Sequence, residues 1–216
     1  MSGVTKLRGR FKSLFKSSLR EGWPMYILAL VTMLAGVFFG NWGAGTLDIS
    51  QATQLSTYLD MFVSEAGFIA IDHPQLVRTT ITNNLTFVGI IYLLGLTVIG
   101  APVILALLFI RGFSLGFTVG FLANERAGDG VIIAIASVLP QNLLFLPAIY
   151  LAGVASLSFS CLLIGRLRNS RLPVLPGLLG YHFIIIIVSC IAAAAGLVEA
   201  FLTPELIKTT VNLLIK

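Results

Sequence analysis

Stretches of 18 or more apolar residues recur along this chain, and no other feature restricts its fold as strongly. Such stretches are long enough to cross a bilayer as helices. Only α-helices and closed barrels satisfy their backbone groups in hydrocarbon. The runs are continuous and do not alternate between apolar and polar residues, which excludes a barrel. Composition agrees: 57% of the 216 residues are apolar and 11% are charged, about half the charge of a soluble domain. The mean hydropathy is +0.97. A soluble cytoplasmic enzyme is ruled out, and the chain reads as all-α, a polytopic helical integral membrane protein.

The few charges are sorted along the chain. Of 14 Lys and Arg, Lys6, Arg8, Arg10, Lys12, Lys16 and Arg20 precede the first apolar run, with no acidic residue before Glu21. Beside a span, such a cluster is explained by the positive-inside rule rather than by nucleic-acid binding. Leu7, Phe11, Leu14 and Phe15 fall at helical spacing between the bases. Residues 1–22 are therefore expected as a cytoplasmic basic amphipathic segment on the anionic inner leaflet. The first run lacks a small-residue cleavage site and ends in an aromatic border at Trp42, so it reads as a span over about Met25 to Gly40.

Asp48, Asp60, Glu65 and Asp72 face the single Arg78 within residues 41–85, which assigns this loop to the extracytoplasmic side. Ser50 is the expected N-cap of an amphipathic helix there. Its face of Leu55, Tyr58, Leu59 and Phe62, with Asp60 and Glu65 beside it, is the expected partner surface. Asp72-His73-Pro74 breaks this helix. A second span is expected over Thr86 to Ile110, ended on the inside by Arg111, and a third over Gly112 to Ala123, which is short for a crossing. A long stretch from Val131 to Gly165 contains a break at Leu139-Pro140-Gln141-Asn142 and a second proline, Pro147. Arg166, Arg168 and Arg171 mark a return inside, and Leu178 to Leu202 crosses outward. The parity gives about five spans with the N-terminus in and the C-terminus out, or three if 112–123 is re-entrant. Residues 23–202 form a single membrane domain, and 203–216 an extracytoplasmic tail with an interfacial helix.

Little here carries chemistry. Gly112-Phe113-Ser114-Leu115-Gly116 fits the nucleophile pattern G-x-S-x-G, with His182 as the conceivable base for an intramembrane serine protease. The glycines continue to Gly120, however, and Gly112, Gly116 and Gly120 at intervals of four read better as a helix-packing stripe. The break at Pro140 reads first as structural, with Gln141 and Asn142 bonding carbonyls that the prolines free, and second as a permeation or partner site. No acidic residue sits securely in mid-span, which disfavours a coupled transporter. Cys161 and Cys190 read as packing residues rather than a disulfide. The chain carries no nucleotide, zinc or dinucleotide signature, so no cofactor and no metal is expected. Asn84-Leu85-Thr86 is too weak a glycosylation match at a membrane border to use.

Several segments together resemble the stage II sporulation protein M family of endospore-forming bacteria. They are Ile99-Gly100-Ala101-Pro102-Val103-Ile104-Leu105 running into Arg111-Gly112, then Gly116-Phe117-Thr118-Val119-Gly120-Phe121-Leu122. The most specific is Ser137-Val138-Leu139-Pro140-Gln141-Asn142-Leu143, followed by Pro147-Ala148. Supporting pieces are Gly36-Val37-Phe38-Phe39-Gly40, Ile49-Ser50-Gln51, Leu157-Ser158-Phe159-Ser160 and Glu199-Ala200. The broader superfamily often has a Leu-Pro-His-Gly type element, from which this chain departs at Gln141, Asn142 and Leu144. The resemblance implies a multi-pass protein of the mother-cell membrane at the sporulation septum. It also implies a non-enzymatic scaffold that localises two peptidoglycan hydrolases, stage II sporulation proteins D and P, during engulfment. Membrane lipid and a second copy of the chain are further expected partners. The alternative is a transporter or channel-type subunit.

Overall fold

The computed structural model describes the backbone of residues 2–66, 72–168 and 174–214, and the side chains of 23–61, 72–124, 138–167 and 174–210. The expected amphipathic side chains of the basic segment therefore lie outside the described residues, as do Phe62, Glu65, Glu125, Asp129 and Arg171. The described chain is helical throughout: α1 Ser2–Gly45, α2 Ile49–Ala66, α3 His73–Gly95, α4 Gly100–Arg168 and α5 Val174–Leu214. Among the described residues, four segments are long and apolar enough to cross a membrane: Trp23–Gly45, Gly100–Asn124, Val138–Leu167 and Val174–Thr210. The protein is a polytopic helical membrane protein.

α4 cannot be one rod. Leu108 packs against the position a Cβ on Gly153 would take, whereas 45 residues of straight helix would hold the two about 68 Å apart. Ser160 donates to the Thr97 carbonyl at the other end of the same pairing. The chain therefore reverses between Asn124 and Val138, and α4 folds into two antiparallel legs, 100–124 and 138–168. Pro140, like Pro147, lies inside helix α4. The break expected at 139–142 is thus corrected: the reversal lies earlier, and Leu139 to Asn142 are helical.

The second expected span also needs correction. Residues 86–110 are not one helix, because the chain turns at Leu96–Ile99 between α3 and α4. Arg111 consequently sits in the middle of the first leg, and Gly112 to Ala123 belong to a 25-residue segment long enough to cross rather than to a short stub. The turn is tight. Thr97 Oγ1 donates to the Leu94 carbonyl at 2.7 Å, and a Cβ on Gly100 would collide with that carbonyl.

Helix directions follow from the pairing of residues. Gly112, Gly116 and Gly120 meet Met33, Val37 and Asn41 of α1 in the same order, so α1 and the first leg run parallel. Thr80 and Asn84 bond the carbonyls of Gly196 and Ala192, so α3 and α5 run antiparallel. α3 has 23 residues, about 34 Å, enough for a hydrocarbon core of about 30 Å. With α3 packed among the four apolar segments, the described residues form five bundled helices whose directions alternate along the chain. One end carries the 96–99 turn and Arg168, and the other carries Gly45, His73 and Asn124.

Two apolar clusters hold it. One joins Val88 and Ile91 of α3, Phe145, Ile149 and Phe159 of the second leg, and Tyr181, Ile185 and Val188 of α5. The other joins Ala29 of α1, Ile104 and Leu108 of the first leg, and Val154 and Leu157 of the second. α3 starts at His73-Pro74 after the cap residue Asp72, whose carboxylate accepts from the Gln75 amide at 3.2 Å. Asp72-His73-Pro74 therefore opens α3, and residues 73–85 of the expected outer loop belong to the bundle. α2 begins at Ile49, with Asp48 rather than Ser50 at its cap. Asp48 accepts from Ile49 N, and its own N–H reaches Gln51 Oε1. The tail expected from 203 is a continuation of α5 through Pro204.

Candidate functional site

The small-residue stripe is where two helices touch backbone to backbone. A Cβ on Gly112 would strike the Met33 carbonyl, one on Gly116 the Val37 carbonyl, and one on Gly120 the Asn41 side chain. From the other side, Gly36 and Gly40 of α1 lie against Phe109, Phe113 and Phe117. With no Cβ between them, the helices gain dispersion contact that hydrocarbon does not otherwise reward. Phe109, Phe113, Phe117 and Phe121 flank the seam as a ladder of stacked rings, with centroids 6.1 to 6.4 Å apart.

Two sets of polar groups stand out within the described bundle. Near the 96–99 turn, Tyr181 Oη donates to the Tyr92 carbonyl and pairs with Ser156 Oγ, each at 2.8 Å. Its ring stacks on Phe159 and on Tyr92. Tyr92 Oη meets His182 Nε2 at 2.7 Å, and His182 Nδ1 meets the Leu178 carbonyl at 2.8 Å. Both ring nitrogens of His182 are thus engaged, and Ser114 is not among their partners. This set ties α3, α5 and the second leg together.

The other set lies toward the Asn124 end. The Arg111 guanidinium stands 4.8 Å from the Phe145 ring centroid and 5.4 Å from that of Phe87. The two ring centroids are only 6.2 Å apart, so both aromatic quadrupoles support the cation from one side. Gln141, with its amide nitrogen turned to Glu199, donates to both carboxylate oxygens at 3.0 and 2.5 Å. The charges of Arg111 and Glu199 attract one another across the bundle. An ionisable residue inside a span is costly unless it is compensated, which makes this pair a site by default. Sequence reasoning placed Arg111 at an inner boundary and Glu199 near a helix end; it brought neither to Gln141.

The remaining expected residues are placed as follows. Asn142 Nδ2 donates to the Val138 carbonyl at 2.7 Å, within its own turn, so it does not serve a carbonyl freed by a proline. Leu139 is exposed, and Pro147 lies inside the helix. On α2, which touches α5, Leu55 and Leu59 are half-buried while Tyr58 and Asp60 are exposed. Tyr58 is 72% accessible. The expected partner face is therefore split between the bundle and the outside. Cys161 and Cys190 are free thiols.

A family model described as stage II sporulation protein M matches residues 29–204, from α1 to α5, including both polar sets and the glycine seam. No curated protein matches the chain significantly, and no solved structure does.

Proposed function

The chain belongs to the stage II sporulation protein M family, and from that premise we propose that it is a non-enzymatic scaffold of the engulfment machinery. In this reading it sits in the mother-cell membrane at the septum, where it recruits and localises stage II sporulation proteins D and P. The basic residues before Glu21, together with Arg166 and Arg168, support placing the 96–99 turn inside the cell. Gly45, α2 and His73 then face the wall, where peptidoglycan hydrolases work.

The observation that carries the reading is α2. It is capped at Asp48, touches α5, keeps Leu55 and Leu59 half-buried, and leaves Ile49, Tyr58 and Met61 exposed. A short helix held against a bundle by one edge presents its other edge in a fixed orientation. The test is an affinity pull-down of the tagged full-length protein from sporulating cells. It compares the native chain with a variant carrying Tyr58→Ala, Leu59→Ala, Asp60→Lys and Glu65→Lys. Recovery of both hydrolases with the native chain, and their loss with an inserted variant, supports the reading. Equal recovery with both chains, or none with the native one, overturns it.

The transporter or channel-type alternative gains from one observation, the Arg111 and Glu199 charges within the spans. It predicts that Gln141→Leu with Asn142→Leu changes flux in reconstituted vesicles without disturbing assembly.

A further inference from the structure

Arg111 reaches in an unusual direction. Helical side chains lean toward the N-terminus of their own helix, which for the first leg is the Gly100 end. The register set by Leu108 and Gly153 brings Phe145 level with Gly116, about 7 Å beyond Arg111 toward Asn124. Because the guanidinium lies over the Phe145 ring, it has been drawn toward the Asn124 end. Phe87 and Phe145, with centroids 6.2 Å apart, approach it from one side. Among the described residues, no acceptor bonds its in-plane N–H groups, and no ion pair closes the gap to Glu199.

The two charges are ordered along the membrane normal. Gln141 precedes Phe145 by four residues on the second leg, about 6 Å nearer the Asn124 end, and its amide holds Glu199. The carboxylate is therefore the shallower charge and the guanidinium the deeper one. From Arg111, the hydroxyls of Ser114 and Thr118 continue along the same face of the first leg toward Asn124. Both residues are exposed, so no other helix covers this polar stripe.

A headgroup entering from the leaflet at that end offers the complementary order. Its phosphate, attached to glycerol, lies deep, and a terminal ammonium lies nearer water. One positive and one negative charge in the site leave no net charge once a zwitterion binds, which suits a low-dielectric setting. We propose that the Asn124 end of the bundle binds a phosphoethanolamine lipid headgroup, with its phosphate on Arg111 and its ammonium on Glu199. The guanidinium fork suits a tetrahedral oxyanion, and the Ser114 and Thr118 hydroxyls line the way in. This inference is independent of the hydrolase partners.

The test uses the full chain, delipidated and reconstituted into nanodiscs of phosphatidylethanolamine mixed equally with phosphatidylglycerol. Lipids retained after extraction into detergent are then counted by native mass spectrometry. Phosphatidylethanolamine is expected to be retained at least tenfold over phosphatidylglycerol, and both Arg111→Gln and Glu199→Gln abolish the preference. Equal retention of the two lipids, or an unchanged preference in either variant, overturns the proposal. If the single variants do not fold, the charge swap Arg111→Glu with Glu199→Arg decides. A purely structural pair is restored by the swap together with retention, which overturns the proposal. A headgroup site regains folding but not the preference for phosphatidylethanolamine. Soluble phosphoethanolamine is added as a competitor; displacement of the retained lipid at micromolar concentration assigns the site to an aqueous ligand and overturns the lipid assignment.

Discussion

Tyr92 Oη and His182 Nε2 stand 2.7 Å apart, and this bond clasps α3 to α5 beside the 96–99 turn. A carbonyl can only accept, so His182 Nδ1 carries the proton that goes to Leu178 O. In the neutral imidazole Nε2 is then the acceptor, and the Tyr92 hydroxyl the donor. Tyr92→Phe keeps the ring stacked on Tyr181 but leaves Nε2 without its donor. The variant should lose about 1 kcal/mol, the scale of interhelical hydrogen bonds in membranes. Thermal unfolding in detergent, followed by circular dichroism, checks this. An unchanged midpoint would show that the clasp is energetically idle.

Glycines in the same bundle should respond in opposite ways. At Gly116 an added Cβ meets the backbone of Val37, which cannot rotate away. Gly116→Leu should therefore separate α1 from the first leg and cost at least the 1 to 3 kcal/mol, approximately, typical of overpacking. Gly89 has nothing within 4 Å of the same position. Gly89→Ala should be neutral or stabilise by up to about 1 kcal/mol through helix propensity. Size-exclusion thermostability of the two variants side by side reads the contrast.

The glycine spacing at 112, 116 and 120 could be read from the chain, since it depends only on intervals within one helix. Its partner could not, because the contact with Met33, Val37 and Asn41 joins residues more than 70 positions apart. Arg111 was misleading for a related reason. An arginine after an apolar run looks like a membrane boundary, yet the true boundary at Leu96–Ile99 is itself apolar and carries no charge. That turn is satisfied from a distance by Ser160, whose hydroxyl takes the Thr97 carbonyl at 2.8 Å. Hydropathy cannot register a reversal whose polar groups are paid for elsewhere in the chain. Asp72-His73-Pro74 was legible as a boundary but equally suited to ending α2 or starting α3. The Asp72 bond to Gln75 decides for the start.

Thr80 and Asn84 offer a second test of how α3 is held. Thr80 Oγ1 donates to Gly196 O at 2.9 Å and Asn84 Nδ2 to Ala192 O at 3.3 Å, both buried. The helices approach closely because Gly196 lies over the Ile81 backbone. Thr80→Val conserves shape and removes one donor, so it should cost about 1 kcal/mol. Asn84→Leu also adds branching in a buried place and should cost more. Full stability in the double variant, measured by thermal unfolding, would contradict the α3 to α5 pairing.

The status of α3 as a crossing can be decided by labelling. Cys161 and Cys190 are first replaced by Ala, and single cysteines are then placed at Thr46, Asp72 and Thr97. Thr46 and Asp72 flank α2, and Thr97 is the exposed tip of the α3 to α4 turn. A membrane-impermeant maleimide applied to intact cells should label the cysteines at 46 and 72, whereas the one at 97 should react only after permeabilisation. A single span over 86–110 would instead bury position 97 in mid-bilayer, where neither condition labels it. Reaction of positions 72 and 97 from the same side would mean that α3 does not cross. Only the alternating result places Arg111 inside the bilayer, because its depth is set by the turn at Leu96–Ile99.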